Sequence, residues 1–486
     1  MAEVLRSLTE GQLVVLGGDR VVRVSADLAA AFREGDQLLV ADDDLLHVPA
    51  SESAVAALAV SSAADAFGAL AACSDAAIDE FFNRCAALLR DVDVAAVLYE
   101  ANAADVAAAR ARGRSTTRLV LDEPMLSDMA AGLEMWRDLP VGRDSVVSTI
   151  ENDGWSIDVR RSPLGVVGFV FEGRPNVVAD AAGVVRTGNT AVLRIGSDAL
   201  GTATALMDHA LRPALAAAGL PAGTVELVAS PSHAAGWALF ADPRLSLAVA
   251  RGSGAAVAQL GAIARSAGTP ASLHGTGGAW MIVAPDADPA RLEAVVRGSL
   301  DRKVCNTLNV CCVPRASASR LLPAVLAGAA AAGEARATSC IIHVDDEAAQ
   351  AVTASGCPTA VTLSGPPPQG PGQEWEWENQ PEVTLLIVDD VDAAVALCNE
   401  HSPHFVVSVL TDDAGVLEHV YRSVDAPFVG DGFTRWVDGQ YALNEPELGL
   451  SNWEHGRLLG RGGVLTGASV HTLRLFARVS DPTMHR

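Results

Sequence analysis

The opening stretches G-Q-L-V-V-L-G-G-D-R-V-V-R-V and D-Q-L-L-V-A-D-D-D-L-L-H-V alternate apolar and polar residues around Gly and Asp turns, the period-two pattern of short antiparallel strands. This predicts a small β appendage over 1–52. From about Ser53 the spacing becomes helical and Ala-rich, through Ala76–Arg90 and Ala95–Arg112, with Arg114-Ser115-Thr116 as a polar break. From Ser162 to about Val283 the apolar runs V-V-G-F-V-F, T-A-V-L-R, T-V-E-L-V and L-S-L-A-V-A are each followed by helix-forming sequence. Repeated crossovers of that kind predict an α/β fold built on a parallel, doubly wound sheet. A second strand-and-helix region begins near Trp280, passes Cys305 and runs to about Thr411, interrupted by the loop G-P-P-P-Q-G-P-G-Q-E. After Gly430 the chain is Gly-, Trp- and Arg-rich and returns to strand spacing at V-H-T-L-R-L-F. These shifts divide the chain into 1–52, 53–275, 276–430 and 431–486.

The 486 residues are enough for two or three domains with sizeable cores. Lys and Arg number 35 against 59 Asp and Glu, a net charge of −24 that repels phosphate backbones and anionic lipid. Neither nucleic acid nor membrane is an expected partner. Hydrophobic residues make up 50% of the chain, yet no run approaches the roughly 18 uninterrupted apolar residues of a membrane helix. The start M-A-E-V-L-R-S-L-T-E-G-Q-L lacks the features of a secretory signal, so a soluble, cytoplasmic protein is expected. The eight cysteines include no C-x-x-C pair, which argues against both a zinc site and a disulfide framework.

Ligands of parallel sheets bind beyond the carboxyl ends of the strands. Two loops there open helices: Glu172-Gly173-Arg174-Pro175-Asn176 and Arg194-Ile195-Gly196-Ser197. Arg194 with Ser197 can hold a nucleotide phosphate, although a surface arginine and a helix cap would use the same residues. Arg251-Gly252-Ser253-Gly254 lets a flat ring approach the backbone, as does any tight turn, and Leu273-His274-Gly275-Thr276-Gly277-Gly278 is equally open to either reading. Cys305 is the strongest nucleophile candidate: Arg302-Lys303 precede it, their charges favouring a thiolate, and polar Asn306-Thr307 follow. Cys311 and Cys312 lie in the apolar run V-C-C-V and read as small core residues.

Taken in order, S-P-L-G-V-V-G-F-V-F-E-G-R-P-N, T-G-N-T-A-V-L-R-I-G-S, R-G-S-G, H-G-T-G-G, V-C-N-T-L and T-R-W-V-D-G resemble the γ-glutamyl phosphate reductase (glutamate-5-semialdehyde dehydrogenase) family of the aldehyde dehydrogenase superfamily. The resemblance runs from about Val97 to Gly463. It implies an aldehyde dehydrogenase-like fold, with 53–275 binding nucleotide, 276–430 carrying catalysis and 431–486 returning to pair subunits. It makes Cys305 the catalytic thiol and Asn176 an oxyanion donor. Arg194, Gly196 and Ser197 are then expected at the adenosine side of a nicotinamide dinucleotide, Arg251 and Gly252 near its nicotinamide, and Glu378 at a ribose. Asn306, Arg435 and Asp438 are expected at the substrate.

The implied reaction is reduction of an acyl phosphate, glutamyl-5-phosphate or a relative, to its semialdehyde through a cysteine thioester, with NADPH, or NADH, as reductant. It would serve proline synthesis in a homo-oligomer fed by an upstream amino-acid kinase. Oxidation of an aldehyde, or a catalytically silent partner of that kinase, are the alternatives. Where hydrolytic relatives carry a glutamate before two glycines, this chain has His274-Gly275-Thr276-Gly277-Gly278, which favours phosphate over water as acyl acceptor. The chain departs from the family at Ala279-Trp280, Asn309, Phe405-Val406-Val407 and Ala442–Glu447. Trp280, Phe405 and the Ala442–Glu447 segment, standing where the family has smaller or polar residues, lead to the expectation of a larger or less polar substrate.

Overall fold

The computed structural model describes residues 4–41, 43–116, 118–140, 142–438, 442–454, 456, 458, 462–483 and 485; Gly439, the last residue of T-R-W-V-D-G, lies outside them. The chain forms two compact units, one of residues 1–274, 445–449 and 464–486, the other of 275–444 and 450–463.

The first unit opens with two antiparallel hairpins, β1 (Leu13–Gly17) with β2 (Arg20–Arg23) and β3 (Gln37–Ala41) with β4 (Asp44–Val48). Leu8, Val24 and Phe32 form a small core beneath them. The appendage is not separate from the rest of the unit, because the second hairpin packs on the helices His233–Phe240 and Gly254–Ser266 and Gln259 Nε2 donates to Asp44 Oδ2 at 2.9 Å. The next helix, Ala50–Leu70, is long and apolar enough to span a membrane by length and composition. Its Ala56, Val60, Ala63 and Leu70 are instead buried within the unit.

β5 (Val146–Asn152) and β6 (Trp155–Pro163) lead into the five parallel strands β7 (Val166–Phe171), β8 (Thr190–Ile195), β9 (Val225–Leu227), β10 (Leu245–Arg251) and β11 (Ala271–His274). Their order is β11-β10-β7-β8-β9, so the winding reverses between β7 and β10. The crevice at that reversal is where a doubly wound sheet binds its ligand. β7 and β8 are buried at every position, which is why their sequences run apolar without alternation.

The second unit is built on β12 (Ala279–Val283), β13 (Leu308–Pro314), β14 (Cys340–His343), β15 (Val361–Ser364), β16 (Glu382–Val388), β17 (Val406–Leu410) and β18 (Phe428–Gly430). They form one parallel sheet in the order β15-β14-β16-β13-β12-β17-β18. Strand alternation sends Met281, Val283, Cys311 and Val313 into one core layer and Trp280, Ile282, Val310 and Cys312 into the other. Trp280 is fully buried and Phe405 is 1% exposed, edge-on to Phe428. Both fill the core, which removes these two side chains as grounds for a larger or less polar substrate.

The expected 431–486 segment is shared out: 431–444 and 450–463 fold with the second unit, and the rest returns to the first. There β19 (Glu447–Leu450) pairs with β20 (Val464–Thr466), and β21 (His471–Val479) completes an antiparallel sheet with β6 and β5. Asn189, fully buried, fastens this return to the central strand. Its Oδ1 accepts from Leu164 N at 2.7 Å and Gly165 N at 3.0 Å, and its Nδ2 donates to Val470 O and Thr187 Oγ1 at 2.9 Å each.

Asn189→Ala strands two buried amides and a carbonyl, and should cost about 2–4 kcal/mol. Urea titration should show a lower midpoint at unchanged slope; a wild-type midpoint would mean that the backbone re-pairs without the carboxamide.

Candidate active site

In the second unit Cys305 stands in the loop between the helix Pro289–Ser299 and β13. Thr307 Oγ1 folds this loop on itself, donating to Arg302 O at 2.6 Å and accepting from Val304 N at 2.9 Å. The turn 275–278 runs alongside: Gly278 N donates to Cys305 O at 2.7 Å and Ala279 N to Thr307 O at 2.8 Å. The approach requires glycine. A Cβ on Gly277 would lie 2.7 Å from both Cα and O of Cys305 and 3.0 Å from Glu374 Oε1, and Gly278 has a φ of +103°.

Asn306 is 4% exposed. Its Nδ2 donates to Val437 O at 2.7 Å and its Oδ1 accepts from Arg435 Nη1. Arg435 Nε also pairs with Asp301 at 2.7 Å, and Thr434 Oγ1 donates to Asn306 O at 2.6 Å. The resemblance puts Asn306 and Arg435 on the substrate, whereas in the structure both side chains hold the loop that carries Cys305. Asp438 is exposed, its carbonyl accepting from Ala442 N at 2.7 Å.

Lys303, the only lysine of the chain, is likewise engaged. Its side chain is 6% exposed, with Nζ 2.7 Å from Glu374 Oε1 and 3.6 Å from Glu376 Oε1. Its charge is therefore balanced by Glu374 and does not stand free beside the thiol as its place in the sequence suggests. The other Glu374 oxygen accepts from Gly277 N at 3.0 Å. Asn309 ties the same strap to β13, donating to Gln373 O at 2.8 Å and accepting from Trp375 N at 2.9 Å. Glu378, expected at a ribose, has an exposed side chain and a carbonyl held by Arg336 at 2.7 Å. Glu374 is the carboxylate placed against the nucleophile loop, and sequence reading misses it: its partner Lys303 lies 71 positions earlier.

Five other thiols are poor nucleophiles. Burial pushes those of Cys85, Cys311, Cys340 and Cys398 up to about 12, and that of Cys312 well above the usual range. Among the described residues no group of His, Cys, Asp and Glu is arranged to hold a metal.

In the first unit the expected nucleotide residues gather at the carboxyl ends of β7, β8 and β10. Asn176 precedes the helix Val177–Ala182 and does not cap it. A Cβ on Gly196 would meet Gly173 N at 2.8 Å, so glycine lets the loops after β7 and β8 touch. Ser197 is not a helix cap either, since that place belongs to Ala199. Arg194 is 4% exposed; its Nη2 donates to Pro231 O at 3.1 Å and its buried Nε has no partner among the described residues. Gly252 leads into the helix Gly254–Ser266, whose Ser253 hydroxyl leaves the first turn uncapped. An uncapped helix start, close loop backbones and a buried guanidinium with spare donor capacity fit a dinucleotide.

Arg251 is paired 2.8 Å from Glu447, 196 positions away, and its guanidinium lies 5.7 Å over the Phe171 ring. Two further titratable groups, Asp180, absent from the sequence reading, and His274, feel this cation. Burial raises the Asp180 carboxyl to about 6, opposed by Arg251. Burial lowers the His274 imidazole to about 3, with Arg251 and Arg174 adding to the effect.

The aldehyde dehydrogenase family model matches residues 40–338. The γ-glutamyl phosphate reductase of Methylobacterium sp. (strain 4-46) is 32% identical over 382 residues, covering 76% of this chain and 82% of that protein. Among solved structures, γ-glutamyl phosphate reductase from Thermotoga maritima superposes with a TM-score of 0.76 at 21% identity, covering 89% of this chain and 99% of that one. An engineered glycolyl-CoA reductase with bound NADP+ gives 0.60 at 16% identity over 88% and 98%. These two structures establish the fold.

Glu374→Gln leaves the buried Lys303 ammonium without its anion and should cost about 3–5 kcal/mol. In a double-mutant cycle, Lys303→Met with Glu374→Leu should cost well under the sum of the single changes; additive losses would mean that the pair is not coupled. A second expectation concerns acid stability. His274, about 3 when folded against 6.5 when free, loses its stabilising contribution as pH falls below 6.5. Asp180, about 6 against 3.8, acts in the opposite sense, its contribution lost as pH rises from 3.8 to 6. The two offset in that shared window, so Asp180→Asn should become less stable than wild type by about 1.4 kcal/mol per pH unit on going from about pH 6 to 4. Parallel stability curves would show that Asp180 is not enclosed in this way.

Proposed function

Because the chain belongs to the aldehyde dehydrogenase family and, within it, to the γ-glutamyl phosphate reductases, we propose that it reduces γ-glutamyl phosphate to glutamate-5-semialdehyde through a thioester on Cys305. The observation that carries this reading is the contrast among thiols. Five are buried and held protonated, and Cys73 and Cys357, though not buried, stand just past the ends of the helices Ala50–Leu70 and Asp346–Ser355, whereas Cys305 lies half-buried in a loop clamped by Gly278, Asn306 and Thr307.

The Cys305 thiolate attacks the acyl carbon, the C–S bond forms, and the C–O bond to phosphate breaks with phosphate leaving. Negative charge collects on the acyl oxygen, and the Asn176 carboxamide, not spent on capping its helix, is the donor for it. Arg194, Gly196 and Ser197 hold the adenosine side of a nicotinamide dinucleotide, with Arg251 and Gly252 toward its ring. That cofactor, when bound, supplies a hydride equivalent. The thiohemiacetal on Cys305 then collapses, expelling the thiolate as the aldehyde leaves. One acyl phosphate, one reduced cofactor and one proton thus give aldehyde, phosphate and oxidised cofactor.

Water is a poor competitor. The turn 274–278 contains no carboxylate, and an imidazole held near 3 is too weak a base to activate water. With Trp280 and Phe405 in the core, the glutamyl side chain remains the best-supported substrate. The reading makes the chain a cytoplasmic enzyme of proline synthesis, supplied by an amino-acid kinase, with NADPH as its reductant. It also makes β5, β6 and β21 the contact between copies, since Ile150, Leu473, Leu475 and Val479 expose apolar surface there.

The test is phosphate-dependent reduction of NADP+ by glutamate-5-semialdehyde. Cys305→Ser should lose more than about a thousandfold in kcat with unchanged thermal unfolding, and Asn176→Ala should lose about a hundredfold to a thousandfold. Wild-type turnover by the serine variant, or turnover indifferent to phosphate, would overturn the mechanism.

A further inference from the structure

Asp198 follows β8, the strand next to β7 on one side of the winding reversal. In a doubly wound sheet an acidic residue at that place accepts a hydrogen bond from the 2′-hydroxyl of the adenosine ribose, and a bare carboxylate there repels a 2′-phosphate. This carboxylate is not bare. Arg112 Nη2 lies 2.7 Å from its Oδ1, and Arg114 Nη1 reaches both oxygens at 2.9 and 2.7 Å. Both arginines come from beyond the sheet, where the chain leaves the helix Val92–Ala111.

Arg114 spends only Nη1 on this pairing, and its side chain is 52% exposed. A guanidinium has five N–H donors, so its remaining edge is open to a second anion. Arg194 is a third cation at the end of the same strand, with a buried Nε lacking a partner among the described residues. His233, which starts the helix His233–Phe240, is pushed down from the usual histidine range by burial and then by Arg194 and Arg114, so both cations act on one locality. Against these three guanidiniums stand Asp198 and Glu52, the latter sensed by Arg194 and accepting from Ser230 Oγ at 2.6 Å.

We infer that Arg112 and Arg114 determine cofactor specificity: they cancel the Asp198 carboxylate, and the free edge of Arg114 receives a 2′-phosphate, so the site selects a 2′-phosphorylated dinucleotide. This rests on the reading that the first unit binds a nicotinamide dinucleotide, and it adds which residues choose between its two forms.

The test is equilibrium binding by calorimetry to the full chain, with NADP+, NAD+, adenosine 2′,5′-bisphosphate and 5′-AMP as probes, so that no turnover is needed. Wild type should bind each 2′-phosphorylated probe at least about tenfold more tightly than its counterpart. Arg114→Ala should remove about tenfold from NADP+ and the bisphosphate while changing NAD+ and 5′-AMP less than about twofold, with Arg114→Lys falling between. Equal losses for both members of each pair, or no loss, would overturn the assignment while leaving the dinucleotide reading in place. A wild type that favours NAD+ would do the same. A wild type that binds neither dinucleotide would instead bring down the reading on which the inference rests.

Discussion

The hydrogen bond from Gly278 N to the Cys305 carbonyl is the constraint around which the catalytic unit is arranged. It brings two loops so close that Gly277 has no room for a methyl group, and it holds Cys305 through its backbone. Each neighbouring interaction serves that approach. Glu374 bonds Gly277 on one side and Lys303 on the other, and Arg435 holds Asn306 from beyond the thiol. Asn309 anchors the strap that carries Glu374, and the Trp375 ring on that strap stacks 3.6 Å from His343.

What could be read from the sequence was what is encoded locally. Apolar runs such as V-V-G-F-V-F announce strands buried on both faces, and the strand-and-helix rhythm announces a parallel sheet. Cys305 stands out in the sequence because its neighbours are polar while those of Cys311 and Cys312 are not. The pairs Lys303–Glu374 and Arg251–Glu447 were not legible, since they join residues 71 and 196 positions apart and nothing in W-E-W-E-N says which glutamate turns inward. Trp280 misled for a related reason. Comparing residue types position by position measures bulk, but the pleat decides which face receives it, and Trp280 points with Ile282 into a packed layer.

The two units use charge differently. Around Cys305 two cations are closely matched, Lys303 by Glu374 and Arg435 by Asp301. At the carboxyl ends of β8 and β10 some guanidinium nitrogens stay uncommitted, as on Arg194 and Arg251. Spare donors are what a polyanionic ligand needs.

The burial of Lys303 also bears on the protein's exposure to its own chemistry. Acyl phosphates acylate amines, and aldehydes condense with them to form imines. An enzyme that passes from one to the other would ordinarily be decorated at its surface lysines over its working life. Here the positive charge of the surface is carried by arginine, whose guanidinium stays protonated and is a poor nucleophile. The sole lysine ammonium is 6% exposed and locked against Glu374. No lysine amine therefore stands on the outside of the molecule to be consumed by substrate or product, and self-inactivation by that route is closed.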